Sequence, residues 1–376
     1  MARVLLAPDK FKGTLTGAEV AASLAEGIRS RRATADVVAV PVADGGDGSL
    51  AAFEAAGFQR VVLRATDAAG RAEPTWYVRR GGEAVVELAE VAGLAKMMIP
   101  PTPLAPLTAT SRGLGELIAD ALDAGATRVL VGIGGSASTD GGLGLVQALG
   151  ARVRDASGAE VGPGGAGAAT AVTLDLSGLH PGLATADIEV ACDVDNPLTG
   201  PEGAAAVYGP QKGADPDQVR ELDAALARWA DVVAAATGHD RRAEPGAGAA
   251  GGVGFATIAI LGATLRPGAQ LMLDQLGFHD ALAGADLIVT GEGSLDEQTL
   301  RGKAPAAVAA AGRAAGVPVV AVAGRCLLDA PRLKDAGFDS VYTLLDEAGT
   351  PQQAFDEAAA LLRRIGARLG DRLPGG

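Results

Sequence analysis

Four short segments gather residues that can handle anions and protons, each at the end of an apolar run. Ala7-Pro8-Asp9-Lys10-Phe11-Lys12-Gly13 places Lys10 and Lys12 between a strand-like run and the start of a helix, where ammonium groups and the helix dipole both favour an anion. Surface solvation is the ordinary alternative for two lysines. Ala43-Asp44-Gly45-Gly46-Asp47-Gly48-Ser49 flanks two carboxylates with glycine, which suits magnesium coordination or close ligand approach, and equally a plain turn. In Cys192-Asp193-Val194-Asp195-Asn196-Pro197, alternation after an apolar strand sets Asp193 and Asp195 on one face. A carboxylate there can accept a hydroxyl proton or hold a metal, unless Asp195 or Asn196 serves as a turn or helix cap. Thr290-Gly291-Glu292-Gly293-Ser294-Leu295-Asp296-Glu297 contains a capping-box pair, Ser294 with Glu297, which leaves Glu292 and Asp296 unexplained.

Other motifs are weaker. Gly132-x-Gly134-x-x-Ala137, Gly162-x-Gly164-x-x-Gly167 and Gly246-x-Gly248-x-x-Gly251 fit dinucleotide fingerprints, but a chain with 54 glycines meets such patterns by composition. Only the first follows a credible strand. It continues as Gly135-Ser136-Ala137-Ser138-Thr139-Asp140-Gly141-Gly142, longer and more polar than a tight dinucleotide turn, so a phosphate-cradling loop, a nicotinamide site and a structural turn all stay open. No Walker A loop is present: Gly302-Lys303-Ala304 lacks both the first glycine and the hydroxyl for magnesium. Lys303, and Lys212 in Tyr208-Gly209-Pro210-Gln211-Lys212-Gly213, are further cations in glycine-rich settings, each a surface residue when taken alone. His180, His239 and His279 have no spacing for zinc or for a nucleophile-base pair. Cys192 and Cys326 lie far apart and read as reduced thiols.

The elements that must position these residues follow from pattern. Val4 to Ala7 reads as a strand, and Thr16 with Glu19 announces a helix whose Val20, Leu24 and Ile28 share a face. A strand over Asp36 to Val42 then completes a β-α-β opening, which calls for a parallel sheet. From Arg60 to about Glu90 short alternating runs with Gly and Pro punctuation read as an antiparallel meander. Beyond Ala285 the β-α-β style returns. The expected fold is therefore α/β in two domains: a parallel-sheet domain built from both chain ends, 1–60 and 286–376, and an inserted mixed α/β domain over 61–285. A length of 376 residues agrees, since single cores stop growing near about 250–300 residues. The net charge of −13 argues against nucleic acid or anionic lipid as partner. The uncharged stretch from Pro245 to Leu265 is too rich in Gly and Ala to read as a membrane span. The short apolar run at the N-terminus fits a first strand better than a secretory signal, so a cytoplasmic location is expected.

Taken in order, Ala-Pro-Asp-Lys-Phe-Lys-Gly-Thr-Leu, Val-Ala-Asp-Gly-Gly-Asp-Gly, Gly-Ile-Gly-Gly-Ser-Ala-Ser-Thr-Asp-Gly-Gly, Cys-Asp-Val-Asp-Asn-Pro-Leu, Tyr-Gly-Pro-Gln-Lys-Gly-Ala and Thr-Gly-Glu-Gly-Ser-Leu-Asp strongly resemble the bacterial glycerate kinase family. The resemblance runs over nearly the whole chain. It implies that the domain of both ends is Rossmann-like or flavodoxin-like, that ATP and Mg2+ are required, and that D-glycerate is the acceptor, with 2-phosphoglycerate the usual product.

Phosphoryl transfer asks mainly for positioning and charge neutralisation, and residue types suggest the roles. Asp193 would orient or deprotonate the glycerate hydroxyl, and Lys10 and Lys12 would neutralise phosphoryl or carboxylate oxygens. Asp44, Asp195 and Glu292 would serve magnesium. Gly134, Gly135 and Ser136 would offer donors to an anion, with Lys212, Ser294 and Lys303 as further binding groups. The competing readings are transfer to the 3-hydroxyl, a nicotinamide-dependent hydroxyacid oxidoreductase using the Gly132 loop, and a non-catalytic carboxylate-binding protein. The oxidoreductase reading lacks a well-placed acidic residue and a nameable catalytic histidine.

Overall fold

A computed structural model describes residues 1–43, 45, 48–97 and 105–373. Asp44 and Asp47 lie outside the described residues. In chain order the strands are β1 (Arg3–Pro8), β2 (Asp36–Ala39), β3 (Gln59–Thr66), β4 (Ala72–Arg80), β5 (Glu83–Glu87), β6 (Arg128–Gly132), β7 (Arg152–Arg154), β8 (Thr173–Asp175), β9 (Asp187–Ala191), β10 (Thr264–Arg266), β11 (Leu287–Leu295), β12 (Val319–Cys326) and β13 (Ser340–Thr343). The chain divides into two compact units, a terminal unit of 1–44 with 268–376 and a middle unit of 45–267. The sequence pattern alone places these borders at 60/61 and 285/286. The helix Ser49–Ala55 packs on β4 and β5, which draws it into the middle unit, whereas the helices Gly268–Gln275 and Phe278–Leu282 pack on the terminal one.

The terminal unit is a five-stranded parallel sheet in the order β13-β12-β11-β1-β2. Its core joins Val4 and Leu6 from β1 to Val289 of β11, Val322 of β12 and two helices, Gly17–Arg31 and Ala358–Arg372. The first helix begins as its sequence requires. Thr16 Oγ1 accepts from Glu19 N while Glu19 returns the bond to Thr16 N, and Val20, Leu24 and Ile28 are fully buried. The two helices meet through glycines. A Cβ on Gly27 would lie 2.1 Å from Arg363 O, and one on Gly366 2.4 Å from Leu24 O, so only hydrogen fits where their backbones touch. β2 stops at Ala39, short of the expected Val42, because its pairing with β1 ends at Leu6↔Ala39 and no described strand pairs its other edge.

The middle unit holds a six-stranded sheet, β10-β9-β6-β5-β4-β3, parallel from β10 to β5 and antiparallel through the β3-β4-β5 meander. Trp229, Leu117, Ile118 and Phe255 fill its core. Glu189 on β9 binds Arg128 and Arg266 from the two flanking strands; burial pushes its carboxyl up, but the guanidiniums of Arg266 and Arg128 outweigh that and hold it low. The helix Ala249–Ala259 contains three left-handed residues, Ala250, Gly251 and Gly252, with φ of 53°, 70° and 91°. Among the described residues no helix is long and apolar enough to cross a membrane.

Candidate active site

Open parallel sheets bind ligands beyond the C-terminal ends of their strands. In the terminal unit those ends carry the expected residues. The Asp9 N–H donates to Gly291 O at 2.8 Å and Thr290 Oγ1 donates to Ala7 O at 2.7 Å, which locks the end of β1 to β11. After β1 the chain turns tightly: Phe11 and Leu15 form a β-bridge, and Thr14 Oγ1 donates to Phe11 O. Lys10 is half-buried and Lys12 exposed on this turn. Gly17, at the helix start, sits where a side chain would come within 2.9 Å of Pro8 O.

Glu292 lies inside β11 and is 6% exposed. Its Oε1 accepts from Thr299 Oγ1 at 2.6 Å and its Oε2 pairs with Lys303 Nζ at 3.1 Å. Thr299, itself fully buried, was given no role by the sequence reading. The capping box expected of Ser294 and Glu297 does not form. β11 continues through both Ser294↔Arg325 and Leu295↔Cys326, so Ser294 is a strand residue whose Oγ accepts from Arg325 Nε at 3.2 Å, and Glu297 pairs with Arg332. The turn after β11 is closed by Asp296 instead, through Gln298 N and Thr299 Oγ1.

In the middle unit the loop after β6 runs through residues 133–142 and is pinned from several sides. Leu94 N donates to Gly135 O, Ala137 N to Ala92 O, and Trp229 Nε1 to Gly141 O. The left-handed turn presses on the same loop: a Cβ on Gly251 would lie 2.1 Å from Ser138 O. Asp140, fully buried, organises the loop. Its oxygens accept from Ser111 N and Oγ, Gly142 N and Gly144 N, capping two helix starts at once, while burial pushes the carboxyl up against those bonds. The helix that follows, Leu143–Ala148, has only six residues. This long pinned loop is not the tight dinucleotide turn that a nicotinamide site needs.

Lys212 is only 2% exposed, contrary to the surface role its sequence setting suggested. Its Nζ donates to Ser136 Oγ at 2.8 Å and to Ser138 O at 2.6 Å. Burial pulls the ammonium down to about 7, with the Asp140 charge opposing. Because a charged ammonium can only donate, Ser136 Oγ must accept from it and turn its own proton elsewhere. Ser138 Oγ and Thr139 Oγ1 are buried beside this pair without a hydrogen-bond partner among the described residues.

Beyond β9, Asp193 and Asp195 are both exposed in an irregular loop. Asn196 takes a structural part, accepting from Tyr208 Oη at 2.6 Å and donating to Glu202 O. At the end of β5 stands a carboxylate the sequence reading passed over. Glu87 is 1% exposed and accepts from Leu50 N at 2.8 Å. A Cβ on Gly132 beside it would fall 2.7 Å from Gly45 O, so glycine is what lets the segment near residue 45 close over these strand ends.

Among the described residues no group of three or more His, Cys, Asp or Glu side chains is placed to hold a metal. That still fits magnesium, which keeps several waters and takes one or two carboxylates plus phosphate oxygens. Asp195 offers hard oxygens in the open, whereas Glu292 would have to release Lys303 to do the same.

The comparisons with known proteins agree over the full length. The model of the glycerate kinase family matches residues 4–373. The glycerate kinase of Bacillus subtilis (strain 168) is 41% identical over 365 residues, covering 96% of this chain and 95% of the relative. The glycerate 2-kinase of Escherichia coli (strain K12) is 40% identical over 374 residues and 98% of both chains. A solved crystal structure from Salmonella typhimurium LT2 has a TM-score of 0.88 at 41% identity, covering 98% of this chain and 97% of that one. With strand-end loops of this chemistry and matches of this extent, the chain belongs to the glycerate kinase family.

Proposed function

We propose that the protein transfers the γ-phosphoryl group of ATP to the 2-hydroxyl of D-glycerate, giving 2-phosphoglycerate and ADP in the cytoplasm. One observation carries this reading: a relative matched over 98% of both chains is a glycerate 2-kinase. The charged groups at the parallel-strand ends of this chain suit phosphoryl transfer. Asp193 accepts the proton of the attacking hydroxyl. Lys10 and Lys12 neutralise the oxygens of the transferring group or the substrate carboxylate, and Ser294 and Lys303 are further binding groups, Lys303 once it leaves Glu292. Gly134, Gly135 and Ser136 receive an anionic group, with Lys212 acting through Ser136 rather than by contact. Asp195 is the open carboxylate that would meet Mg2+, which when bound neutralises phosphate charge; Asp44 is the alternative candidate, and Glu292 is another once Lys303 releases it.

Phosphorus NMR of the product from ATP, Mg2+ and D-glycerate tests the proposal. A phosphate signal split into a doublet by the single hydrogen on C2 is the expected result. A triplet from the two hydrogens on C3 would move the transfer to the 3-hydroxyl, and no product at all would remove the activity.

A further inference from the structure

A slot of about 180 Å³ opens in the terminal unit beside the ends of β11, β12 and β13. Phe11, Leu344, Leu345 and Phe355 supply its apolar walls, and Lys12 and Arg325 its charge. Leu344 and Phe11 are each 2% exposed, as core residues should be, yet Phe355 is 53% exposed and Leu345 41%. The Phe355 ring is not on a loose tail. It belongs to the short helix Pro351–Asp356, whose start is fixed by Thr350 accepting from Gln353 N and by proline in the first turn. Gly293 and Gly324 add bare backbone to the lining, and a Cβ on Gly324 would meet Gly293 O at 2.5 Å.

Position adds to composition. β1 has β2 on one side and β11 on the other, so the strand order reverses between β1 and β11, and open α/β sheets bind ligands at such a reversal. The slot draws its lining from the segments after β1 and β13 and from the C-terminal ends of β11 and β12. A small hydroxyacid anion would gain nothing from four apolar side chains, and the slot is too small to seat a folded partner. A flat heterocycle carrying phosphates matches both the aromatic ring and the two cations.

We infer that this slot seats the purine base of the nucleoside triphosphate donor against Phe355, with the phosphates running toward Lys12 and Arg325. The inference rests on the kinase reading above and names the unit that holds the base. Phe355→Ala removes the ring from an exposed position, and Leu345→Ala trims a second exposed wall. The test titrates ADP calorimetrically into the full-length protein without glycerate, and measures steady-state kinetics beside it. Phe355→Ala should weaken ADP binding and raise the KM for ATP by roughly tenfold, as loss of a stacking ring does, and leave the KM for glycerate where it was. Phe355→Trp should restore both values, and Leu345→Ala should move them in the same direction as Phe355→Ala. Unchanged ADP affinity in Phe355→Ala, or a rise in the glycerate KM alone, would overturn the assignment. The two readings fail separately: wild-type protein that cannot phosphorylate glycerate with ATP refutes the kinase, whereas an active wild type with an indifferent Phe355→Ala refutes only the seat.

Discussion

Replacing Lys212 with methionine keeps the length of the side chain and deletes its charge. Unfolded, the ammonium titrates at the usual 10.5; folded, burial brings it to about 7. Below pH 7 both states carry the proton, and this group adds no slope to stability. Between 7 and 10.5 the unfolded chain keeps a proton that the folded chain has released, so stability rises with pH. Each unit is worth about 1.4 kcal/mol at most, and integration from pH 7 to pH 9 gives about 2 kcal/mol. Lys212→Met should lose that rise. It also leaves Ser136 Oγ and Ser138 O without their donor, a constant cost of about 1–3 kcal/mol that does not depend on pH. Urea unfolding followed by tryptophan fluorescence suits the measurement, because both tryptophans, Trp76 and Trp229, belong to the middle unit. The stability of wild type minus that of the variant should rise by about 2 kcal/mol from pH 7 to pH 9. Parallel profiles would show that Lys212 titrates normally and that its burial exerts no such pull.

Two further outcomes follow from single residues. Asp193→Asn keeps the shape of an exposed side chain and should lower kcat by about 10²–10⁴-fold with ADP affinity intact; near-normal kcat in a folded variant would remove Asp193 from catalysis. Gly27→Ala gains up to about 1 kcal/mol of helix propensity, but its methyl would meet Arg363 O at 2.1 Å. Overpacking of about 1–3 kcal/mol should win, which calorimetry would register as earlier melting of the terminal unit with the middle unit unmoved.

Local signals survived folding where local forces decide. The Thr16–Glu19 box, the Val20-Leu24-Ile28 stripe and the meander over β3 to β5 appear as their residues dictate, since hydrogen bonds and burial act there over a few positions. Ser294 and Glu297 show the opposite case. Their spacing is right for a helix start, but pairing of β11 with β12 carries the strand through Ser294, a contact about thirty residues away in sequence. Lys212 reads as solvated because lysine flanked by glycine and polar residues usually is. Its burial is imposed by a loop more than seventy residues upstream. Glu87 was hidden in plain alternation: nothing in Glu-Ala-Val-Val-Glu tells which end of a strand will be closed over by another segment. Asp140 stood inside a noticed motif, yet its work depends on Ser111.

The glycine-to-glycine seam between the helices Gly17–Arg31 and Ala358–Arg372 bears on how the protein is made. A nascent chain delivers β1 and its helix first, but their packing partners, β11, β12 and the last helix, emerge only after residue 286. Residues 45–267 hold their whole core in one continuous stretch and can settle while translation proceeds. Val4, Leu6 and Leu24 gain their full packing only when the helix Ala358–Arg372 arrives, so that helix is the latch that closes the terminal core.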